Sequence, residues 1–275
     1  MTKTVGKLLD IGCKLLANAS DTPKLDSSLL VAEVLAKSRE WVVSHTDESV
    51  EAEEEAEVHS LFLRRHDGEP IAYIRGYQPF WKRDFVVTRD TLIPRPDTEL
   101  IVEIILSRFS EDSIKVADLG TGSGALAVSL GAERPKWKIL GIDISESALS
   151  VAKQNAGELK NVRFSLGSWF SNVKESFDLI ISNPPYVRSG DRHLMALKFE
   201  PTLALAAGED GLECYRQIIK GCNEHIIPGG YILFEHGYEQ QRALEKLLLN
   251  AGFIGVEGFK DLQGQPRAVI ARRPL

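Results

Sequence analysis

Two short stretches of the 275-residue chain combine residue types that can hold a ligand and present it to a second one. The first is Val116-Ala117-Asp118-Leu119-Gly120-Thr121-Gly122-Ser123-Gly124-Ala125, a strand-like apolar run that turns through three glycines into a helical pattern. Glycine permits positive φ and lets a ligand approach the backbone closely. In an open parallel sheet, ligands bind outside the carboxyl ends of the strands, where such a turn lies. Asp118 suits a ligand carrying an ammonium group better than one carrying a pyrophosphate. The next strand pattern ends in Gly141-Ile142-Asp143, and a carboxylate there can accept hydrogen bonds from both hydroxyls of a ribose. Gly120, Thr121, Gly122, Ser123, Gly124 and Asp143 are therefore candidate binding residues. The second stretch is the buried strand pattern Phe177-Asp178-Leu179-Ile180-Ile181-Ser182, followed directly by Asn183-Pro184-Pro185-Tyr186. Two prolines remove two N–H donors and leave outward-facing carbonyls. A planar –NH2 group can donate one hydrogen to the Asn183 side-chain oxygen and the other to the Pro184 carbonyl, with the Tyr186 ring against its plane.

The glycine turn, with Asp118 and Asp143 in register, resembles motif I and the acidic loop of class I S-adenosylmethionine-dependent methyltransferases. At the end of the fourth strand of such a sheet, Asn183–Tyr186 specifies a planar amide or exocyclic-amine nitrogen as methyl acceptor. Adenine N6, cytosine N4 and a glutamine side-chain amide all meet that description.

Four further segments, together with the Asn183–Tyr186 stretch, narrow the resemblance. Arg65-His66-Asp67-Gly68-Glu69-Pro70-Ile71-Ala72-Tyr73, Leu92-Ile93-Pro94-Arg95-Pro96-Asp97-Thr98-Glu99, Asn183-Pro184-Pro185-Tyr186, Phe199-Glu200-Pro201-Thr202-Leu203-Ala204-Leu205 and Leu233-Phe234-Glu235-His236-Gly237, in this order, resemble the HemK/PrmC family over essentially the whole chain. The resemblance implies methylation of the glutamine nitrogen, N5, in the Gly-Gly-Gln loop of class I peptide-chain release factors. It implies S-adenosyl-L-methionine as cofactor and S-adenosyl-L-homocysteine as product. Asn183, Pro184 and Tyr186 would be catalytic and, with Pro185, would bind the substrate amide. Gly120, Thr121, Gly122, Ser123, Gly124, Asp143, Ser168, Trp169 and Asn183 would contact the cofactor. Where the family commonly shows an acidic residue before a Trp-Phe pair, this chain has Ser168 before Trp169-Phe170, a hydroxyl that can meet the adenine amine without supplying charge. Arg95 and Glu99 would order the loop over the cofactor.

The elements that must position these residues alternate. Strand patterns at 114–119, 138–142, 162–166, 177–182, 231–235, 253–259 and 267–272 are mostly separated by helical ones at 124–133, 146–156, 212–225 and 238–250, which predicts a mainly parallel α/β sheet covered on both faces. The last two strands, joined by a short glycine-containing connection, should pair antiparallel. The expected fold is the seven-stranded, Rossmann-like sheet of class I methyltransferases, preceded by a small helical bundle and a β-hairpin linker. The boundaries read as 1–76 for a helical, substrate-recognising domain, 77–96 for the hairpin and 97–275 for the methyltransferase domain. In the first of these, Val5, Leu8, Leu9, Gly12, Leu15 and Leu16 follow helical spacing. A second helix opens at Asp21-Thr22-Pro23 and runs to Lys37, and a third starts near Glu51 with an acidic first turn that suits the helix dipole.

Composition excludes several function classes. With 43% hydrophobic and 26% charged residues the chain is globular rather than disordered. A net charge of -6 argues against an extended grip on nucleic-acid phosphates. Cys13, Cys214 and Cys222 form no CxxC pair, and the histidines show no metal-ligand spacing, so neither a metal nor a disulfide is expected. Charges interrupt the N-terminal apolar run and no stretch is long enough to span a membrane, so a cytoplasmic, monomeric protein is expected. The main competing reading is a nucleic-acid amino-methyltransferase of the adenine-N6 type, acting on a flipped base. It should carry a basic target-recognition region, whereas this chain adds a mildly acidic helical one. A non-catalytic, cofactor-binding regulator is the third reading, which the intact acceptor motif beside an intact cofactor turn disfavours.

Overall fold

A computed structural model describes residues 3–191, 197–205 and 207–275. It divides into two compact units, Met1–Tyr77 and Gln78–Leu275, each with its own core.

The first unit is helical: α1 (Val5–Leu16), α2 (Pro23–Val34), α3 (Arg39–Ser44), α4 (Ala52–His66) and α5 (Ile71–Arg75). The ends follow local chemistry. Thr4 caps α1, Pro23 occupies the first turn of α2, and Glu51 and Glu54 form a capping box at α4. Helix α2 stops three residues short of the expected Lys37, because Ala36 turns left-handed (φ 48°) and the Lys37 N–H returns to the Ala32 carbonyl at 3.1 Å. The core joins Val5, Leu8 and Leu16 of α1 to Leu30 and Val31 of α2 and Val58 and Phe62 of α4. Gly12 allows the close approach, since a Cβ there would lie 2.4 Å from the Phe62 ring. A two-residue antiparallel pair, β1 (Lys3–Thr4) with β2 (Ser49–Val50), is too short to leave a sequence period.

The hairpin of β3 (Tyr77–Phe80) and β4 (Arg83–Val86) follows in the chain at the start of the second unit. Its Phe80 and Phe85, edge to face at 5.8 Å, bury into the core of the second unit beside Ile101 and Ile105 of α6 (Glu99–Arg108).

The second unit is built on β5 (Lys115–Leu119), β6 (Lys138–Asp143), β7 (Val162–Leu166), β8 (Phe177–Ser182), β9 (Ile226–Glu235), β10 (Ile254–Lys260) and β11 (Pro266–Arg272). These form one sheet in the order β10-β11-β9-β8-β5-β6-β7. The strands from β9 to β7 run parallel, while β11 pairs antiparallel with both β9 and β10. Helices α7 (Ala125–Glu133), α8 (Glu146–Ala156), α9 (Glu213–His225) and α10 (Gln241–Asn250) connect them. The chain leaves β5 toward β6 and β7, then returns to β8 on the other side of β5. That reversal opens a crevice at the carboxyl ends of β5 and β8, the usual ligand position in such sheets. Strand β9 begins five residues before the expected 231, because Ile226 pairs with Phe177 ahead of an irregularity at Pro228-Gly229-Gly230 whose turn residues mask the strand.

Candidate active site

The glycine turn lies at the carboxyl end of β5. Gly120, Gly122 and Gly124 have φ of 73°, 54° and 81°, a region that costs other residues about 1–2 kcal/mol. Gly124 begins α7 and packs against Ala152 of α8, where a Cβ would sit 3.2 Å from the Ala152 methyl. The turn is anchored from two sides. Asp118, 1% exposed, accepts from the Thr121 hydroxyl at 2.6 Å and the Ala127 N–H at 3.2 Å. Burial pushes its carboxyl up to about 7 against those two hydrogen bonds. Asn155 of α8 donates to the Ser123 carbonyl at 2.9 Å and also pairs with the N–H and C=O of Val86, tying the hairpin to the turn.

In front of the turn is a cavity of about 300 Å³ whose walls include Gly120, Gly122, Asp143, Ser168, Trp169, Asn183 and Pro185. Thr121, Ser123 and Gly124 stand behind this surface and shape the turn rather than line the cavity. Asp118 does the same: its carboxyl is spent on the turn, not offered to an ammonium group. Asp143 is placed differently. Its Oδ2 accepts from the Gly122 N–H at 2.8 Å and its Oδ1 from the Ser145 N–H at 2.9 Å, and the group still borders the cavity. Since a carboxylate offers about four lone-pair positions, acceptor capacity remains for ribose hydroxyls. Trp169 takes positive φ (50°), and its indole N–H donates to Gln217 of α9 at 2.8 Å, which fixes the ring in the cavity wall. Ile144, Ala148, Leu203 and Cys214 complete the apolar lining. Leu203 belongs to the Phe199–Leu205 segment; the motifs do not reveal the other three, although Ile144 immediately follows the acidic end of β6. This mixture of positive-φ glycines, a partly spent carboxylate and apolar walls fits an adenosyl group with a charged tail.

A second cavity, of about 90 Å³, is lined by Asn183, Pro184, Pro185, Tyr186, Val187, Leu92 and Arg95 among others. The two cavities share Leu92, Asn183, Pro185 and Ala204, so the acceptor motif stands between them. Asn183 donates through Nδ2 to the Thr98 hydroxyl at 3.3 Å. The motif is clamped from behind by buried Gln240, whose Nε2 donates to the Tyr186 and Gly211 carbonyls, each at 3.1 Å. Burial raises the Tyr186 phenol well above its ordinary value. Arg95 pairs with buried Glu200 at 2.5 Å, and Glu200 also accepts from the Ile93 N–H at 3.2 Å, so the 92–95 loop is tied to the 200–204 wall. Glu99 serves elsewhere, accepting from the Trp81 N–H at 2.7 Å in the hairpin turn.

Residues 96–199 match the model of the methyltransferase small domain, and residues 7–76 match that of the PrmC N-terminal domain. The fold is shared with the ribosomal protein L11 methylase of Lactobacillus delbrueckii (TM-score 0.53, 21% identity, 72% of this chain and 91% of that one). It is shared also with a methyltransferase of Pyrococcus furiosus (TM-score 0.53, 18% identity, 79% and 98%). The chain is a class I S-adenosylmethionine-dependent methyltransferase. Release factor glutamine methyltransferases resemble it over nearly their full length. That of Coxiella burnetii is 41% identical, covering 94% of this chain and 95% of the relative, and that of Escherichia coli is 36% identical, covering 92% and 94%. The chain belongs to the release factor glutamine methyltransferase family.

Proposed function

We propose that the protein transfers a methyl group from S-adenosyl-L-methionine to the side-chain nitrogen, N5, of the glutamine in the Gly-Gly-Gln loop of class I peptide-chain release factors, in the cytoplasm. The observation that carries this reading is the position of Asn183-Pro184-Pro185-Tyr186 between a cofactor-sized cavity and a small second one. When bound, S-adenosylmethionine supplies an electrophilic sulfonium methyl and leaves as S-adenosylhomocysteine. Asp143 holds the ribose hydroxyls, the turn offers its backbone at Gly120 and Gly122 to the charged tail, and Ser168 and Trp169 border the adenine. On the acceptor side, the Asn183 side-chain oxygen and the Pro184 carbonyl each accept one proton of the glutamine NH2. An amide nitrogen is a poor nucleophile because its lone pair is delocalised. Two acceptors on its protons raise its electron density and favour the positive charge that develops as the nitrogen–methyl bond forms and the methyl–sulfur bond breaks; the methylated nitrogen then gives up one of its protons to water. They also aim the nitrogen along the line of displacement while Tyr186 packs against the amide plane.

A pocket that reads only a planar NH2 cannot choose among glutamines. The helical unit 1–76 is therefore assigned to recognition of the folded release factor, with remote contacts used to orient the reacting amide. Incubation of the protein with labelled S-adenosylmethionine and either release factor or DNA tests the reading. Label on the release-factor glutamine is expected, and label on DNA alone would overturn it.

A further inference from the structure

We propose that Thr98 and Glu235 are positioning residues that set the direction of a hydrogen-bond chain and so turn the Asn183 amide oxygen toward the acceptor nitrogen. This rests on the reading of Asn183 as an acceptor for the substrate NH2. The oxygen and the NH2 group of an asparagine are nearly equal in size, so shape cannot decide which faces the substrate; only the polarity of the partners can. Here Nδ2 donates to the Thr98 hydroxyl at 3.3 Å across 85 residues of chain. A hydroxyl that accepts from an amide must place its own proton on another acceptor. In this proposal Glu235 takes that role. It ends β9, one position beyond the Ser182–Phe234 pairing with β8, and its carboxyl engages the side chains of Thr98 and Asn183.

When ionised, the Glu235 carboxyl cannot donate, and the proposed chain then runs in one direction, from Asn183 to Thr98 to Glu235. Were the Thr98 proton directed at Asn183 instead, the amide would turn over and present NH2 to the substrate NH2, donor against donor. Neither Thr98 nor Glu235 lines either cavity, so both act through Asn183. The carboxylate is costly to keep. It is 1% exposed, and its Oε2 lacks a hydrogen-bond partner among the described residues. Burial pushes it up to about 7, opposed by the Thr98 hydrogen bond and by Arg267 of β11. Asp97 raises it further, and Tyr186 and Tyr215 face it from the acceptor motif and α9. Below about that pH the carboxyl carries a proton of its own and the chain loses its direction.

The test uses the full-length protein and the variants Thr98→Val, Thr98→Ser and Glu235→Gln. Thr98→Val and Glu235→Gln should lower kcat by up to roughly 100-fold, the scale of loss when a reacting group is misplaced by about 1 Å. Their affinity for S-adenosylmethionine should stay near the wild-type value. Thr98→Ser keeps the hydroxyl and should retain most activity. The acid limb of the wild-type kcat profile should vanish in Glu235→Gln. A substrate-free readout accompanies these: the Asn183 side-chain NH2 resonances should shift and exchange faster with solvent in Thr98→Val. Wild-type kcat in Thr98→Val, or unchanged Asn183 resonances, overturns the inference. Should Glu235→Gln not fold, the Thr98 pair decides alone. Failure of the wild type to methylate a release factor would instead overturn the functional reading, and the Asn183 resonances would still decide this one.

Discussion

Replacing Asp143 with alanine probes the cofactor end of the site. Its carboxylate already accepts from the Gly122 and Ser145 N–H groups at 2.8 and 2.9 Å, and about two lone-pair positions remain for the vicinal hydroxyls of the ribose. A hydrogen bond to a charged group contributes about 1.5–3 kcal/mol. Water can reach the space left by the truncation and solvate the freed hydroxyls, so a net loss of one such increment is expected, or roughly a 10- to 150-fold rise in Kd. The truncation also frees two backbone N–H groups, so the glycine turn should become less ordered and the loss should fall toward the upper end. Asp143→Asn should be intermediate, since it keeps one acceptor oxygen but turns an NH2 toward one of the two N–H donors. The assay is calorimetric titration with S-adenosylmethionine, with thermal unfolding run in parallel to establish that the variant is folded. A Kd for Asp143→Ala within about twofold of the wild type would refute the ribose assignment.

Asn183→Ala should reduce kcat about 100-fold or more while leaving the unfolding temperature nearly unchanged, because the lost acceptor acts on the developing charge; single-turnover methyl transfer measures this. Asp118 has its carboxyl raised to about 7 by burial. The folded state therefore binds more protons than the unfolded one between about 4 and 7, and Asp118 makes the fold progressively less stable as pH rises through that window, by at most about 1.4 kcal/mol per unit. Asp118→Asn keeps an oxygen for Thr121 and Ala127, so thermal unfolding should show a flatter pH dependence; an unchanged slope would contradict the burial argument. A whole release factor should be methylated with far higher kcat/KM than a short Gly-Gly-Gln peptide, and deletion of residues 1–76 should reduce kcat/KM for the protein much more than for the peptide. A parallel loss for both, in a truncated enzyme shown to fold, would rule out the recognition role.

What the sequence determined by itself is whatever lies close together along the chain. The glycine turn, the acid at the end of β6 and Asn183–Tyr186 are each a few residues long, and each depends on φ preferences and donor counts that residue types carry with them. Alternating strand and helix patterns specify the parallel sheet, and strand endings at Gly120, Asp143 and Asn183 put all three motifs at its carboxyl edge. Tertiary structure decided what each polar group is spent on. Asp118 lies two residues before the turn in either description, but only its burial shows that it holds the turn instead of facing a ligand. Glu99 and Arg95 are four positions apart, yet one caps a hairpin and the other meets Glu200 across 105 residues of chain. The Thr98, Glu235 and Gln240 contacts behind the acceptor motif are likewise partnerships between distant loops. A hydrogen-bond partner is a property of a place in space rather than of a residue type, so local patterns carry no trace of it until the sheet brings the loops together.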